Sequence, residues 1–292
     1  MSGMNVPFWK MNGLGNQILV ADMRESASKI TADAAVALDR QADTKFDQIM
    51  EVHRSGTPQI DADIRILNSD GSEAEACGNG TRCVVSWLYQ DTPKENWLFR
   101  TKPGLLNATF KSDANITVDM GVPQFGWEEI PLAEEFHDTT GIELQVGPID
   151  DPVLHTPSVA NIGNPHCIFW ASDDVWSYEL DRFGSLLEFH PMFPDRCNIS
   201  IANVASREHI ILRTWERGAG LTQACGSAAC AALVCAVRKD LTGPKATVTL
   251  PGGDLVIEWT EQGRILMTGP AEFEFSGMLN PQTGEFSRGE AG

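Results

Sequence analysis

The sequence lacks a long apolar run, an excess of basic residues and any paired-cysteine spacing, and each absence removes a class of function. Its longest apolar stretch, residues 228–237, is far short of the roughly 20 residues a spanning helix needs. The opening MSGMNVPFWKMNG has no apolar h-region, so no secretory leader is expected and the cytoplasm is the expected compartment. Lys and Arg number 22 against 40 Asp and Glu, a net charge of −18. That balance argues against a nucleic-acid partner and offers no basic patch to an anionic membrane. An acidic substrate would have to be held by local donors rather than by the overall field. No Cys-x-x-Cys occurs, and the five-residue steps Cys225, Cys230 and Cys235 spread around a helix, so no metal site is expected. There is no phosphate-loop motif, no glycine-rich nucleotide fingerprint and no low-complexity segment. A pyridoxal-binding lysine has no dependable short signature, so its absence says less. Chemistry without a cofactor is the expectation.

What is present is ordinary in bulk and unusual in arrangement. The 292 residues, 42% hydrophobic and 21% charged, suit one large or two medium soluble domains. Seven cysteines, an odd number with no secretory signal, point to free thiols in a reducing compartment. The chain writes one motif twice, Ala-Cys-Gly-Asn-Gly-Thr-Arg-Cys at residues 76–83 and Ala-Cys-Gly-Ser-Ala-Ala-Cys at residues 224–230. Cys77 and Cys225 lie 148 positions apart (225 − 77), and the same offset carries Gly15-Asn16 onto Gly163-Asn164 and Asn68 onto Glu216. Three anchors at one offset argue for duplication at the scale of a domain, well beyond solenoid periods.

Hydrophobic patterning predicts strands at residues 8–10, 18–21, 46–53 and 60–66, the last a clean alternation of Ile60, Ala62, Ile64 and Ile66 with polar residues. Thr31 is a suitable N-cap for a helix to Arg40. A mostly apolar, hence buried, helix should begin just after Cys77 and reach Tyr89. Strands at 97–101, 108–111 and 116–120 close the first half. Residues 122–157, rich in Pro, Gly and acid, are the expected crossing. Strands recur at 159–162, 168–171, 199–204 and 210–215, and a second buried helix is expected over 226–238. Strands at 246–250 and 255–259 flank the hairpin signature Pro251-Gly252-Gly253-Asp254; a last strand covers 265–267, and the tail from Gly277 is expected to fray. Each half is thus many strands around one apolar helix.

A solitary cysteine is most often a small buried hydrophobe, which is the reading for Cys83, Cys167, Cys197, Cys230 and Cys235. Cys77 and Cys225 differ because each opens a helix and is followed by Gly, which permits a close ligand approach. A helix N-terminus favours thiolate and should lower both pKa values. The N–H groups of Gly78 and Asn79 from one helix, and of Gly226 and Ser227 from the other, could grip a carboxylate. The α-carbon would then sit between two sulfurs, in a cleft between the halves. One thiolate removes the α-proton and the opposite thiol returns one, which is what a racemase or epimerase requires; the helix ends stabilise the developing charge.

Several further segments complete a resemblance. Gly13-Leu14-Gly15-Asn16, Asn68-Ser69-Asp70-Gly71-Ser72-Glu73, Gly163-Asn164-Pro165-His166, Glu216-Arg217-Gly218-Ala219-Gly220, Leu250-Pro251-Gly252-Gly253 and Thr268-Gly269-Pro270-Ala271, with the two cysteine motifs, resemble the diaminopimelate epimerase family from residue 8 to about residue 275. The resemblance implies an α/β fold of two similar pseudo-symmetric domains, each a strand-rich barrel-like sheet around a central helix. Their expected extents are 1–121, joined by 271–292, and 122–270. It implies a cofactor-independent epimerase taking LL-diaminopimelate to the meso form for bacterial lysine and peptidoglycan synthesis, and a homodimer. Carried over by motif, Cys77 and Cys225 are the acid–base pair, with His166 and Glu216 helping the thiols exchange protons. Asn16, Gln48, Asn68, Asn164, Asn198 and Arg217 match substrate-holding residues, Arg217 being suited to take a distant carboxylate in a fork. Backbone capping is the competing role for Asn16 and Asn68, and the stronger one for Asn12 and Asn161. The remaining histidines, His53, His137, His155, His190 and His209, are expected to be structural or exposed. The chain departs from the family at Gln17-Ile18, usually Asp-Phe, and at Leu221, usually Glu. The rivals are a proline or hydroxyproline racemase, a Cys–His hydrolase built on Cys77 and His166, and an amino-acid-binding protein without catalysis.

Overall fold

The computed structural model describes residues 5–289, so the first four residues of the N-terminal segment and the last three of the tail lie outside the described residues. The chain divides into two compact units, Met1–Asp119 with Thr268–Gly292, and Met120–Met267.

The first unit opens with a hairpin of β1 (Val6–Asn12) and β2 (Gln17–Asp22). Helix α1 (Ala32–Asp39) follows, capped by Thr31, whose Oγ1 accepts the Ala34 N–H at 3.1 Å. Then come β3 (Gln48–His53), β4 (Ala62–Asn68), the short β5 (Glu73–Ala74), α2 (Gly78–Asp91), β6 (Asn96–Thr101), β7 (Gly104–Ser112) and β8 (Asn115–Asp119). Strand β3 runs parallel to β2 and antiparallel to β4, and β6 runs parallel to β4.

The second unit starts with an irregular stretch holding the two-residue strands β9 (Gln145–Val146) and β10 (Leu154–His155). From there it repeats the first. A hairpin of β11 (Ser158–Asn161) and β12 (Pro165–Trp170) is followed by α3 (Leu180–Glu188), β13 (Asn198–Ser206), β14 (His209–Glu216), β15 (Gly220–Leu221), α4 (Gly226–Arg238), β16 (Lys245–Leu250), β17 (Gly253–Trp259) and β18 (Ile265–Gly269). Here β13 is parallel to β12 and antiparallel to β14, and β16 is parallel to β14. The register repeats as well: Ile18 pairs with Gln48, and His166, at the same 148-residue offset (166 − 18), pairs with Asn198. Leaving β18, the chain supplies the first unit with β19 (Glu272–Leu279), antiparallel to β1, and β20 (Phe286–Arg288).

The residues account for this architecture. Ile18, Leu19, Val20 and Ala21 are all fully buried, as in a strand covered on both faces. One face is covered by α2, and the other packs Phe8, Leu19, Ile49 and Leu67 against Ala34, Ala35 and Leu38 of α1. In the second unit Leu180, Phe183 and Leu187 of α3 close the same face over Phe169, Ile199 and Ile201. Helices α2 and α4 are buried on every side, at residues 79–88 and 228–236, α4 through small and apolar side chains and α2 with Asn79, Thr81, Arg82 and Ser86 buried among its apolar ones. Each unit is a barrel-like sheet around a central helix with an outer helix on its flank. Among the described residues no helix is long and apolar enough to cross a membrane.

Two features depart from the sequence reading. The tail does not fray from Gly277, because β19 pairs with β1 through Val6↔Leu279 and Phe275 and Phe286 meet Phe8 edge-on at 5.9 and 6.2 Å. Its exposed outer face and a partner at the far end of the chain hide it from local patterning. Helix α3 was not anticipated, because Gly184 interrupts its pattern. The glycine is needed: a Cβ there would lie 2.6 Å from Cδ2 of Trp215. Gly184→Ala should therefore destabilise the protein by about 1–2 kcal/mol, overpacking outweighing the gain in helix propensity. Gly56→Ala, at a site with open space, should change stability by less than about 0.5 kcal/mol. Denaturant midpoints of the two variants check the pair; equal midpoints would refute the packing argument.

Candidate active site

In the first unit the site is built on the start of α2. Cys77 is the N-cap residue, extended at φ −149°, and its Sγ accepts the Gly80 N–H at 3.2 Å. The close approach depends on glycine, since a Cβ at Gly80 would come 2.5 Å from Sδ of Met50 and 3.1 Å from the Cys77 sulfur. On its other side the thiol lies 3.5 Å from Gln48 Oε1. Gln48 and Asn68 are cross-strand partners, with Gln48 Nε2 3.5 Å from Asn68 Oδ1, and Asn68 Nδ2 donates to Ser72 Oγ at 3.0 Å. Cys77, Gln48 and Asn68 thus form one contiguous group. The Gly13–Asn16 turn rests on the first turn of α2, where a Cβ at Gly13 would meet the Asn79 carbonyl at 3.0 Å. Asn12 closes this turn by accepting the Gly15 N–H at 2.6 Å, and Asn16 Oδ1 is buried without a hydrogen-bond partner.

Sequence reasoning missed Arg82, the largest fully buried side chain among the described residues. Its Nη1 donates to Asn79 Oδ1 at 2.9 Å, its Nε to the Pro270 carbonyl at 3.0 Å, and its Nη2 reaches the Gly13 carbonyl at 3.4 Å. One guanidinium therefore ties the turn bearing Asn16 to the helix start bearing Asn79. The available signal was its position three residues after Asn79, on one helix face.

In the second unit Cys225 occupies the equivalent N-cap of α4, but its surroundings differ. Its sulfur makes no cap bond and lies 3.5 Å from Ser227 Oγ. Burial pushes the Cys225 thiol well above its usual range, the Glu216 carboxylate adds to this, and the opposing pull of Ser227 and the Ala228 amide is weaker. The expected lowering by the helix dipole does not hold for Cys225: desolvation of a buried thiolate exceeds what one helix end returns. Glu216, on the last residue of β14, is held by Thr222, whose hydroxyl donates to Oε1 at 2.5 Å. Thr222 is a second residue that the sequence reading passed over.

His166 is fully buried. Its Nε2 meets Asn164 Oδ1 at 2.8 Å, and Nδ1 is buried without a partner. Burial, reinforced by the Arg217 guanidinium, pushes the imidazole down to about 3, so it is neutral at pH 7. Asn198 is 1% exposed and its amide is committed to backbone: Oδ1 accepts the Arg217 N–H at 2.9 Å and Nδ2 donates to the Pro165 carbonyl at 3.0 Å. Arg217 is exposed, with Nη1 on the Asp195 carbonyl at 3.0 Å. Asn164, His166, Asn198 and Arg217 are thereby linked.

The other thiols are inert by burial, Cys83 and Cys235 being pushed up to about 12 and Cys167 and Cys197 well above their usual range. Among the described residues no group of three or more His, Cys, Asp or Glu side chains is placed to hold a metal ion.

Known proteins resemble this chain at two levels. Structures under 25% identical share the fold: a hydroxyproline epimerase from Agrobacterium vitis at TM-score 0.67 and 13% identity, covering 96% of this chain and 92% of that one, and a phenazine biosynthesis protein of the PhzF family from Bacillus anthracis at TM-score 0.66 and 16% identity, covering 96% and 99%. Sequence relatives are far nearer. A diaminopimelate epimerase from Brucella anthropi is 62% identical over 281 residues, 96% of this chain and 94% of that protein. One from Rhizobium meliloti is 60% identical over 289 residues, 99% and 96%. The sequence profile described as Diaminopimelate epimerase matches residues 8–126 and 158–274, one segment on each repeat. The chain is an isomerase and belongs to the diaminopimelate epimerase family.

Proposed function

We propose that the protein interconverts LL- and meso-2,6-diaminopimelate by moving a proton at one α-carbon between two thiols, Cys77 and Cys225. What carries the reading is the contrast between two cysteines at equivalent helix starts, within a family of that name. Cys77 is partly exposed, and its sulfur receives a backbone N–H, which favours thiolate. Cys225 is buried beside Glu216, which favours thiol. In the forward direction the Cys77 thiolate takes the α-proton and becomes a thiol, and Cys225 gives its proton to the opposite face and becomes a thiolate. Reversal uses the same groups in exchanged roles. The N–H groups of Gly78 and Asn79 and of Gly226 and Ser227 hold the reacting carboxylate and spread the charge that develops on it. Glu216 and neutral His166 serve proton exchange at Cys225. Asn16, Gln48, Asn68, Asn164 and Arg217 hold the remaining polar groups, Arg217 taking the distal carboxylate, while Asn198 fixes the Arg217 backbone. A homodimer working in the cytoplasm completes the proposal.

Cys77→Ala and Cys225→Ala should each lower kcat by at least about 10³-fold, within the range of general acid–base catalysis, and Cys83→Ala should stay active. Solvent deuterium should enter Cα of LL-diaminopimelate and not of proline. Near-wild-type turnover in either single variant, or exchange into proline alone, refutes the proposal.

Arg217→Lys should raise KM for LL-diaminopimelate about tenfold or more, because a point charge cannot replace a planar fork. An unchanged KM removes Arg217 from the distal carboxylate.

His166 should remain neutral in the folded protein from pH 8 down to pH 5. Its folded pKa lies below the unfolded value of about 6.5, so the unfolded chain binds the extra proton and stability falls as pH drops from 6.5 towards 3. Nitrogen-15 shifts of the His166 ring read its state directly; an imidazolium signal at pH 6 would contradict the burial argument.

A further inference from the structure

We infer that Glu188, at the end of α3, is a positioning residue of the active site: its carboxylate fixes the turn Glu216–Gly220, and so sets where Glu216 and Arg217 stand. The inference rests on the proposed roles of those two residues. Glu188 is 3% exposed. Its Oε2 accepts the Trp215 indole N–H at 2.8 Å, its Oε1 accepts the Gly218 backbone N–H at 2.9 Å, and Arg196 stands 3.8 Å from Oε1. The two hydrogen bonds come from either side of Glu216 and Arg217.

The helix itself gives no reason for an acid at this position. The last turn of a helix repels negative charge, and α3 has no basic residue there. Burying the carboxylate adds a desolvation cost. The groups that satisfy it belong to the turn instead. That turn closes with one backbone hydrogen bond of its own, from Ala219 N–H to the Glu216 carbonyl at 3.1 Å, between the paired strands β14 and β15. Gly218 and Gly220 stand in the left-handed region at φ 77° and 81°, and Arg217, Gly218 and Ala219 are exposed, so no packing holds them. Three tethers reach them from residues 188–198: Glu188 to Gly218 N–H, Asn198 to Arg217 N–H, and the Asp195 carbonyl to Arg217 Nη1. The equivalent turn of the first unit closes with the same backbone bond, Gly71 N–H to the Asn68 carbonyl at 3.0 Å, but takes its side-chain brace from within, Asp70 accepting both the N–H and the hydroxyl of Ser72. A helix-borne carboxylate clamp therefore serves the turn that carries the carboxylate and the guanidinium.

Glu188→Gln keeps size and shape but leaves one oxygen acceptor for two N–H donors. In the full-length protein, hydrogen exchange of the peptide spanning residues 215–221 should quicken at least about tenfold, and KM for LL-diaminopimelate should rise about tenfold with near-ultraviolet circular dichroism unchanged. Combined with Arg217→Lys, the KM effects should fall well short of multiplying, because both act through one group. Trp215→Phe removes the indole donor and leaves the Gly218 bond, so its 215–221 exchange should stay near wild type. Unchanged exchange in Glu188→Gln overturns the inference, as do fully multiplicative KM effects or a Trp215→Phe variant that exchanges as fast as Glu188→Gln. If Arg217→Lys leaves KM unchanged while Glu188→Gln still loosens the turn, the clamp stands and the role given to Arg217 falls.

Discussion

A helix buried on every side can offer its backbone to a ligand only at an end, and both central helices of this protein are of that kind. The sheet curled around α2 and α4 covers residues 79–88 and 228–236, and their first N–H groups lack intrahelical partners by construction. Whatever stands at the N-cap is then the side chain nearest those donors. In both units that residue is cysteine. The rest of each unit serves to present that end: the hairpin turn at Gly13–Asn16 rests against it, and the paired strands β3–β4 and β13–β14 bring polar side chains alongside.

Duplication made the two ends alike, and substitution has since made their chemistry differ. At the register where one unit pairs Ile18 with Gln48, the other pairs His166 with Asn198. At the end of the adjoining strand, Asn68 in one unit corresponds to Glu216 in the other. Cys77 consequently has the Gln48 amide and the Gly80 N–H beside its sulfur, whereas Cys225 is buried next to a carboxylate. The two N-caps differ in backbone bonding as well, the Cys77 sulfur receiving the Gly80 N–H while Cys225 closes no cap bond. Two identical thiols would compete for the same proton state; two unlike environments allow one to hold a proton while the other accepts one.

How far the sequence foretold this depends on whether a feature is local. The helix over 226–238 and the hairpin at Pro251–Asp254 are governed by neighbours in sequence and were readable from periodicity and turn residues. The offset between Cys77 and Cys225 exposed the repeat because it needs no knowledge of contacts. Helix α3 was hidden by Gly184, a residue kept for Trp215 at the expense of helix propensity. Strand β19 was hidden because its partner β1 stands at the other end of the chain. The proton affinity of Cys225 was misread for a related reason: a helix end is visible in sequence, but depth of burial is a sum over many distant residues.

The two helix starts also differ at the third helical residue, where sequence and chemistry meet at a single atom. In α2 this position is Gly80, and the absence of a Cβ leaves room for the Cys77 sulfur to approach the Gly80 N–H at 3.2 Å. In α4 the equivalent residue is Ala228, 148 positions on (228 − 80), and the sulfur of Cys225 lies nearer Ser227, its contact with the Ala228 amide too weak to close the cap. A full amide hydrogen bond favours the charged sulfur, and its weakening favours the neutral one. At Cys225 burial and Glu216 raise the thiol pKa, and the missing cap bond at Ala228 leaves less to oppose them.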